Sequence, residues 1–96
     1  MLKYSDLQFY IKKTRTEATT LFSNGYGVCV IKKFDDNNNE TGLNDICILK
    51  HDMNGLTNLN DFQLQNKSLV NLTEEQVESL FFDISNLLPI SESNYD

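Results

Sequence analysis

The stretch VCVIKKFDDNNNETGLNDICIL, residues 28–49, decides the fold. It contains two short apolar runs, residues 28–31 and 46–49, whose β-branched side chains favour strands. Residues 35–42 lie between the runs and are all polar or glycine, which favours a turn. The pattern predicts a β-hairpin with a polar loop. Because each run is apolar at consecutive positions, we expect central strands covered on two faces, or covered by helices on one face and by a partner on the other.

Helices are predicted on both sides of this hairpin. Residues 5–8 (SDLQ) have the form of a capping box, and the apolar spacing that follows predicts a helix from residue 5 to about residue 19. A second capping box, residues 73–76, begins a helix that Pro89 ends. Its apolar side chains recur at helical spacing, at Val77, Leu80, Phe81, Ile84, Leu87 and Leu88.

Residues 62–65 (FQLQ) alternate with strand period and predict a third strand. The chain is therefore expected to be an α+β protein, a small α-β-β-β-α domain whose antiparallel sheet carries both helices on one face. We expect a single domain over residues 1–90 and a flexible acidic tail over residues 91–96.

Charge is sorted along the chain. The first 33 residues carry six basic and two acidic side chains, whereas the rest carry two basic and twelve acidic ones, for a formal net charge of -6. This predicts an electrically lopsided molecule that favours a basic partner surface. The element order is similar to that of domains that bind double-stranded RNA. Those domains meet phosphates with basic residues, so the acids here predict no direct binding of nucleic acid.

Catalytic chemistry is not indicated by the sequence. The single histidine, His51, could be drawn into a triad with Asp52 and either Cys29 or Cys47. However, adjacent residues of a strand point to opposite faces, and both cysteines lie within apolar runs that favour buried, inert thiols. We therefore expect no catalytic residues and no enzyme activity.

No metal, cofactor or membrane site is predicted either. Residues 35–40 offer oxygen ligands like the start of a calcium loop, but Glu40 stands where the loop needs glycine and Ile46 where it needs a bidentate glutamate. One histidine and two separated cysteines do not form a zinc signature. No segment is apolar enough to cross a bilayer or to direct export, so we expect a cytoplasmic protein with reduced cysteines.

The remaining hypothesis is binding. We expect a small acidic protein-binding inhibitor that occupies a basic surface of a nuclease or toxin, such as a surface that binds nucleic acid. In size and acidity alone the chain resembles phage anti-defence proteins of the anti-CRISPR kind and immunity proteins. The predicted partner-binding residues are Asp35, Asp36, Glu40, Glu74, Glu75 and Glu78.

Two other interpretations stay open. The chain could be a self-associating structural or accessory protein, a homodimer formed through the sheet or through its complementary charged halves. The negative charge could also serve only to keep a small protein soluble.

Overall fold

A computed structural model describes residues 2–59 and 68–89, and it shows a curled antiparallel sheet with a helix on one face. The elements, in chain order, are a 3₁₀ turn (Tyr4–Asp6), β1 (Tyr10–Ile11), β2 (Thr16–Leu21), β3 (Tyr26–Phe34), β4 (Glu40–Asp52), β5 (Gly55–Asn58) and α1 (Glu74–Ser85). Each strand pairs with the next along the chain, so the five strands form a simple meander. The expected mixed α+β character is confirmed.

The predicted hairpin is formed by β3 and β4. Val28 pairs with Ile48, and Cys29 pairs with Cys47. The turn is tighter than the sequence predicted, because the Asp35 carboxylate accepts the backbone N–H groups of Asn37 and Asn39 at 2.8 and 2.9 Å. These bonds close the turn within residues 35–39, so that β4 already begins at Glu40.

The core lies between this hairpin and α1. Four strand residues of the α1-facing side are buried, namely Val28, Val30, Ile46 and Ile48. The helix contributes the four residues that the periodicity predicted, Val77, Leu80, Phe81 and Ile84. Burying one such side chain contributes roughly 1.5–3 kcal/mol, so this contact is the main source of stability.

Both ends of α1 are fixed by side chains. The predicted capping box is present, since Thr73 Oγ1 accepts the Gln76 N–H at 3.2 Å and Gln76 Oε1 accepts the Thr73 N–H at 2.9 Å. At the other end, the buried Asn24 amide donates to the Ile84 carbonyl at 2.8 Å. The helix ends at Ser85, before the predicted end at Pro89, and Leu88 is exposed rather than part of the buried face.

The predicted N-terminal helix is wrong, and with it the order α-β-β-β-α. Its residues form the 3₁₀ turn, β1 and β2 instead. Asp6, not Ser5, makes the local cap, because its carboxylate accepts the Lys3 N–H at 2.9 Å. Threonine is β-branched and favours strands. The backbone of β2 forms its hydrogen bonds by pairing with the edge of β3. Only one helix, α1, therefore packs on the sheet among the described residues.

Strand β5 was also missed by the sequence analysis. Met53 and Asn54 form a two-residue turn, Gly55 has φ of 101°, and Asp52 pairs with Gly55. Gly55 follows the two turn residues and supplies the positive φ of this tight connection, whereas the sequence analysis predicts no strand over residues 55–58. The predicted third strand over 62–65 and the predicted tail over 91–96 lie outside the described residues. In the described part of the chain, no helix has the length and apolarity needed to cross a membrane.

A test of this packing compares two adjacent phenylalanines on α1. Phe81 is 1% exposed and meets the Phe22 ring edge-on, whereas Phe82 is 50% exposed. We expect Phe81→Ala to lower the free energy of unfolding by about 3–5 kcal/mol because it leaves a cavity. We expect Phe82→Ala to change it by less than about 1 kcal/mol. Urea unfolding measures both, and equal losses would contradict the assigned helix face.

Candidate functional site

Three of the six predicted partner-binding acids interact with Tyr4, one through a hydrogen bond and two through their charge. Glu78 on α1 accepts the Tyr4 backbone N–H at 2.6 Å. Burial raises the pKa of the Tyr4 phenol most, and the carboxylates of Glu74 and Glu40 raise it further. The charges of both carboxylates thus act on the same phenol, although Glu40 begins β4 and Glu74 begins α1. We call Glu40, Glu74 and Glu78 the acidic patch.

Tyr4 is held rigidly at the centre of this patch. Its phenol donates to Asn44 Oδ1 at 2.8 Å, and the buried Asn44 donates from Nδ2 to the Leu72 carbonyl at 3.2 Å. The Tyr4 ring also packs against Phe9, with 5.6 Å between ring centroids. These contacts link the N-terminal segment to the starts of β4 and α1, so the patch sits on a fixed scaffold.

The other three predicted acids differ in their availability. Asp35 is occupied by the turn amides described above. Asp36 is exposed on that turn and Glu75 is exposed in the first turn of α1. Among the described lysines and arginines, none forms an ion pair with Asp36, Glu74 or Glu75, whereas Glu40 pairs with Lys32 at 2.9 Å. The six acids therefore differ in how available their carboxylates are to a binding partner.

The fold brings basic and acidic segments together, so opposite charges are less separated in space than along the sequence. In a meander, alternate turns share one end of the sheet, so the basic β1–β2 turn lies near the β3–β4 turn. A cleft of about 260 Å³ between the turns is lined by residues 12–16, Phe34 and Asn38. Strand lysines are paired too, with 3.7 Å between Lys33 and Asp45 and 3.5 Å between Lys50 and Asp52.

A second cluster lies on the sheet face opposite α1. Glu17 is only 7% exposed, accepts a hydrogen bond from Arg15 Nε at 2.6 Å and lies 3.5 Å from Lys12 Nζ. Its other oxygen accepts from Cys29 Sγ at 3.3 Å. The hydrogen bond from Arg15 lowers the pKa of Glu17, so this carboxylate is charged at neutral pH. Sequence analysis missed Glu17 because its burial depends on strand register.

Cys29 is a protonated thiol in this environment. Burial raises its pKa most, and the hydrogen bond to Glu17 raises it further, to about 11. Cys47 lies directly opposite on β4 and is half-buried. Both cysteines are free thiols, but of the two buried thiols that the sequence predicted only Cys29 is buried.

The structure does not bring His51 to either cysteine. His51 lies four residues beyond Cys47 on β4, which is roughly 13 Å along a strand. Its Nε2 atom lies 3.0 Å from the Phe22 carbonyl, so the ring supports the β2–β3 turn. Within residues 2–59 and 68–89, no group of three or more His, Cys, Asp or Glu side chains is placed to hold a metal ion.

Comparisons of the chain with protein-family models, curated proteins and solved structures give no match. The function must therefore be argued from the two clusters themselves, the acidic patch around Tyr4 and the Glu17 cluster on the opposite face.

The influence of Glu17 on Cys29 can be measured by alkylation. In a Cys47→Ser background, Glu17→Gln removes the charge that opposes the Cys29 thiolate, so the pKa of Cys29 should fall while staying above that of an exposed thiol, because burial remains. The pH dependence of the iodoacetamide rate reports this pKa. Glu40→Gln removes a carboxylate outside the cluster and should leave the profile unchanged. Identical profiles for Glu17→Gln and the parent would contradict the assigned contact.

Proposed function

We propose that this protein is a small acidic inhibitor that binds a basic surface of another protein, such as the nucleic-acid-binding surface of a nuclease or toxin. The observation that carries the proposal is the pair of exposed acids, Glu74 and Glu75, in the first turn of α1. Glu78 of the same helix binds the Tyr4 N–H, and the charges of Glu74 and Glu40 both act on the Tyr4 phenol. These acids come from the start of β4 and from α1, and Glu75 beside Glu74 is exposed.

The physical basis of the proposal is preorganised charge. Glu74 and Glu75 stand in the first turn of a capped helix, where the helix dipole favours negative side chains. The contacts of Tyr4 fix this turn relative to β4, so binding would order few additional groups. Carboxylates held in this way steer a basic partner toward the patch and make association dependent on salt.

The six acids have unequal roles in this proposal. Glu74, Glu75 and Asp36 are free of described cations and supply the direct contacts. Glu40 contributes by exchanging its bond with Lys32, and Glu78 by holding Tyr4. Asp35 shapes the turn that presents Asp36. The half-buried Tyr4 adds an aromatic surface at the centre, and tyrosine is enriched at binding hot spots.

The proposed protein acts by binding and not by catalysis. It needs neither a metal ion nor a cofactor for this role. Two free cysteines fit a reducing compartment, and we place the protein in the cytoplasm on that ground.

A second candidate function is self-association through the sheet. All four residues of β5 are exposed, and this strand is an edge of the described sheet. An edge strand offers backbone N–H and C=O groups to another chain. Leu56 on β5 is 55% exposed and supplies apolar area for such a contact.

The inhibitor proposal predicts that two helix acids control capture of the partner. Glu74→Gln with Glu75→Gln should raise the Kd at low salt by about tenfold or more, because close charge pairs across interfaces contribute roughly 1.5 kcal/mol or more each. The measurement is an affinity pull-down from cognate lysate at low and high salt, read by quantitative mass spectrometry, then titration of the captured protein.

The matched control is Met53→Lys with Ser85→Lys, at exposed positions away from the first turn of α1. This variant changes the net charge of -6 by the same two units but keeps every acid of the patch. It should retain most of the binding. Short duplex DNA should release a captured nuclease if the patch occupies its nucleic-acid-binding surface. Equal losses for both double variants would assign the effect to net charge and reject the patch.

Self-association predicts a different result. Leu56→Lys places a charge on the β5 edge and should lower any concentration-dependent assembly measured by sedimentation velocity. Met53→Lys adds the same charge on the neighbouring turn, where the side chain is 89% exposed, and should not. A parent protein that remains monomeric over the whole concentration series rules this function out.

A further inference from the structure

The two cysteines face each other across the middle of the sheet. Cys29 on β3 and Cys47 on β4 are direct register partners. Their neighbours Val28 and Ile48 face α1, and side chains alternate along a strand, so both thiols lie on the opposite face of the sheet. The inhibitor function proposed above does not use this pair.

Backbone hydrogen bonds define the geometry of the pair. The Asn44 and Ile46 N–H groups donate to the carbonyls of Leu72 and Leu69, on the side of β4 away from β3. Because N–H directions alternate along a strand, the N–H of Cys47, the residue after Ile46, points toward β3. Cys29 and Cys47 thus form a hydrogen-bonded pair, for which the Cα atoms lie about 5.5 Å apart. This separation falls within the range of about 4.4–6.8 Å that disulfides span.

We propose that Cys29 and Cys47 form a reversible cross-strand disulfide by exchange with a low-molecular-weight disulfide such as glutathione disulfide. The two sulfurs have unequal tasks. Cys47 is half-buried and accessible to the reagent, whereas Cys29 is 5% exposed and is suited to the second, internal step. Glu17 accepts a hydrogen bond from the Cys29 thiol at 3.3 Å and favours its protonated form.

The exchange proceeds in two steps. The Cys47 thiolate attacks one sulfur of glutathione disulfide, which forms a mixed disulfide and releases one glutathione thiolate. Cys29 then loses its proton to solvent, its thiolate attacks the Cys47 sulfur of the mixed disulfide, and a second glutathione thiolate leaves. The protons of the two protein thiols end on the released glutathiones. One glutathione disulfide and two cysteines thus become one protein disulfide and two glutathiones.

The strand pairing of Cys29 with Cys47 makes their disulfide easy to reduce. In a directly opposed pair the Cβ atoms are about 4.5–5.5 Å apart, with hydrogen-bonded pairs at the wider end, whereas disulfides need about 3.5–4.5 Å. Closing the bond must draw the strands together, and strained disulfides are more readily reduced. Oxidation also removes the Sγ–H donor from Glu17, which leaves that carboxylate to Arg15 and Lys12. Oxidation of the two cysteines would thereby change the ion pairs that Glu17 makes with the basic β1–β2 turn.

The test is disulfide mapping of the folded protein after equilibration in glutathione buffers of increasing oxidised fraction. After an acid quench and alkylation, mass spectrometry without reductant should show loss of two hydrogens and a peptide pair joined through Cys29 and Cys47. Dithiothreitol should restore both thiols. The product should remain monomeric, and its urea midpoint should rise because the bridge restricts the unfolded chain.

Single variants separate the two roles. Cys29→Ser should stop at a Cys47–glutathione mixed disulfide, and Cys47→Ser should leave Cys29 unmodified over the same time. Mapping of the parent protein decides the proposal even if a variant fails to fold. A parent protein that accumulates only the mixed disulfide, stays fully reduced, or forms disulfide-linked dimers overturns it.

Discussion

Burial of one face of the β3–β4 hairpin under α1 is the contact on which the rest of the structure depends. The described sheet has a single helix to cover it, and Val28, Val30, Ile46 and Ile48 supply the apolar surface that this helix needs. An isolated hairpin is at best marginally stable in water, so neither partner of this contact would persist alone. The fixed ends of α1 follow from this requirement, because a helix that slides would expose the core.

The same contact explains the unusual composition of β3 and β4. Their runs are apolar at consecutive positions because one set of side chains enters the core while the other set includes Cys29, Cys47 and Ile31. On that second face, Glu17 stays buried through its ion pairs instead of through apolar cover. Removing one member of such a network would leave a buried charge, so these residues are coupled more tightly than their exposed neighbours.

Sequence analysis predicted the parts of the fold that have strong local signals. The β3–β4 hairpin and α1 were found because apolar runs, turn residues and a capping box agree there. Residues 5–21 had helical spacing and a capping box as well, but their threonines favour strands and β3 offers an edge to pair with. Whether this segment becomes helix or strand therefore depends on its tertiary pairing with β3, which no local sequence pattern reveals. For the site, composition identified the acids, whereas the hydrogen bond from the Tyr4 N–H to Glu78 joins residues 74 apart in the sequence.

The distribution of ion pairs bears on whether the negative charge has a binding role. Charge that serves only solubility needs no arrangement, and it would be expected to alternate with lysine over the whole surface. Among the described residues, three strand lysines form ion pairs with nearby acids: Lys32 with Glu40, Lys33 with Asp45 and Lys50 with Asp52. Glu74 and Glu75 in the first turn of α1 and Asp36 on the β3–β4 turn form no such pair with a described lysine or arginine. Exposed acids without a local cation remain available to a basic partner, and this is the feature on which the proposed binding role rests.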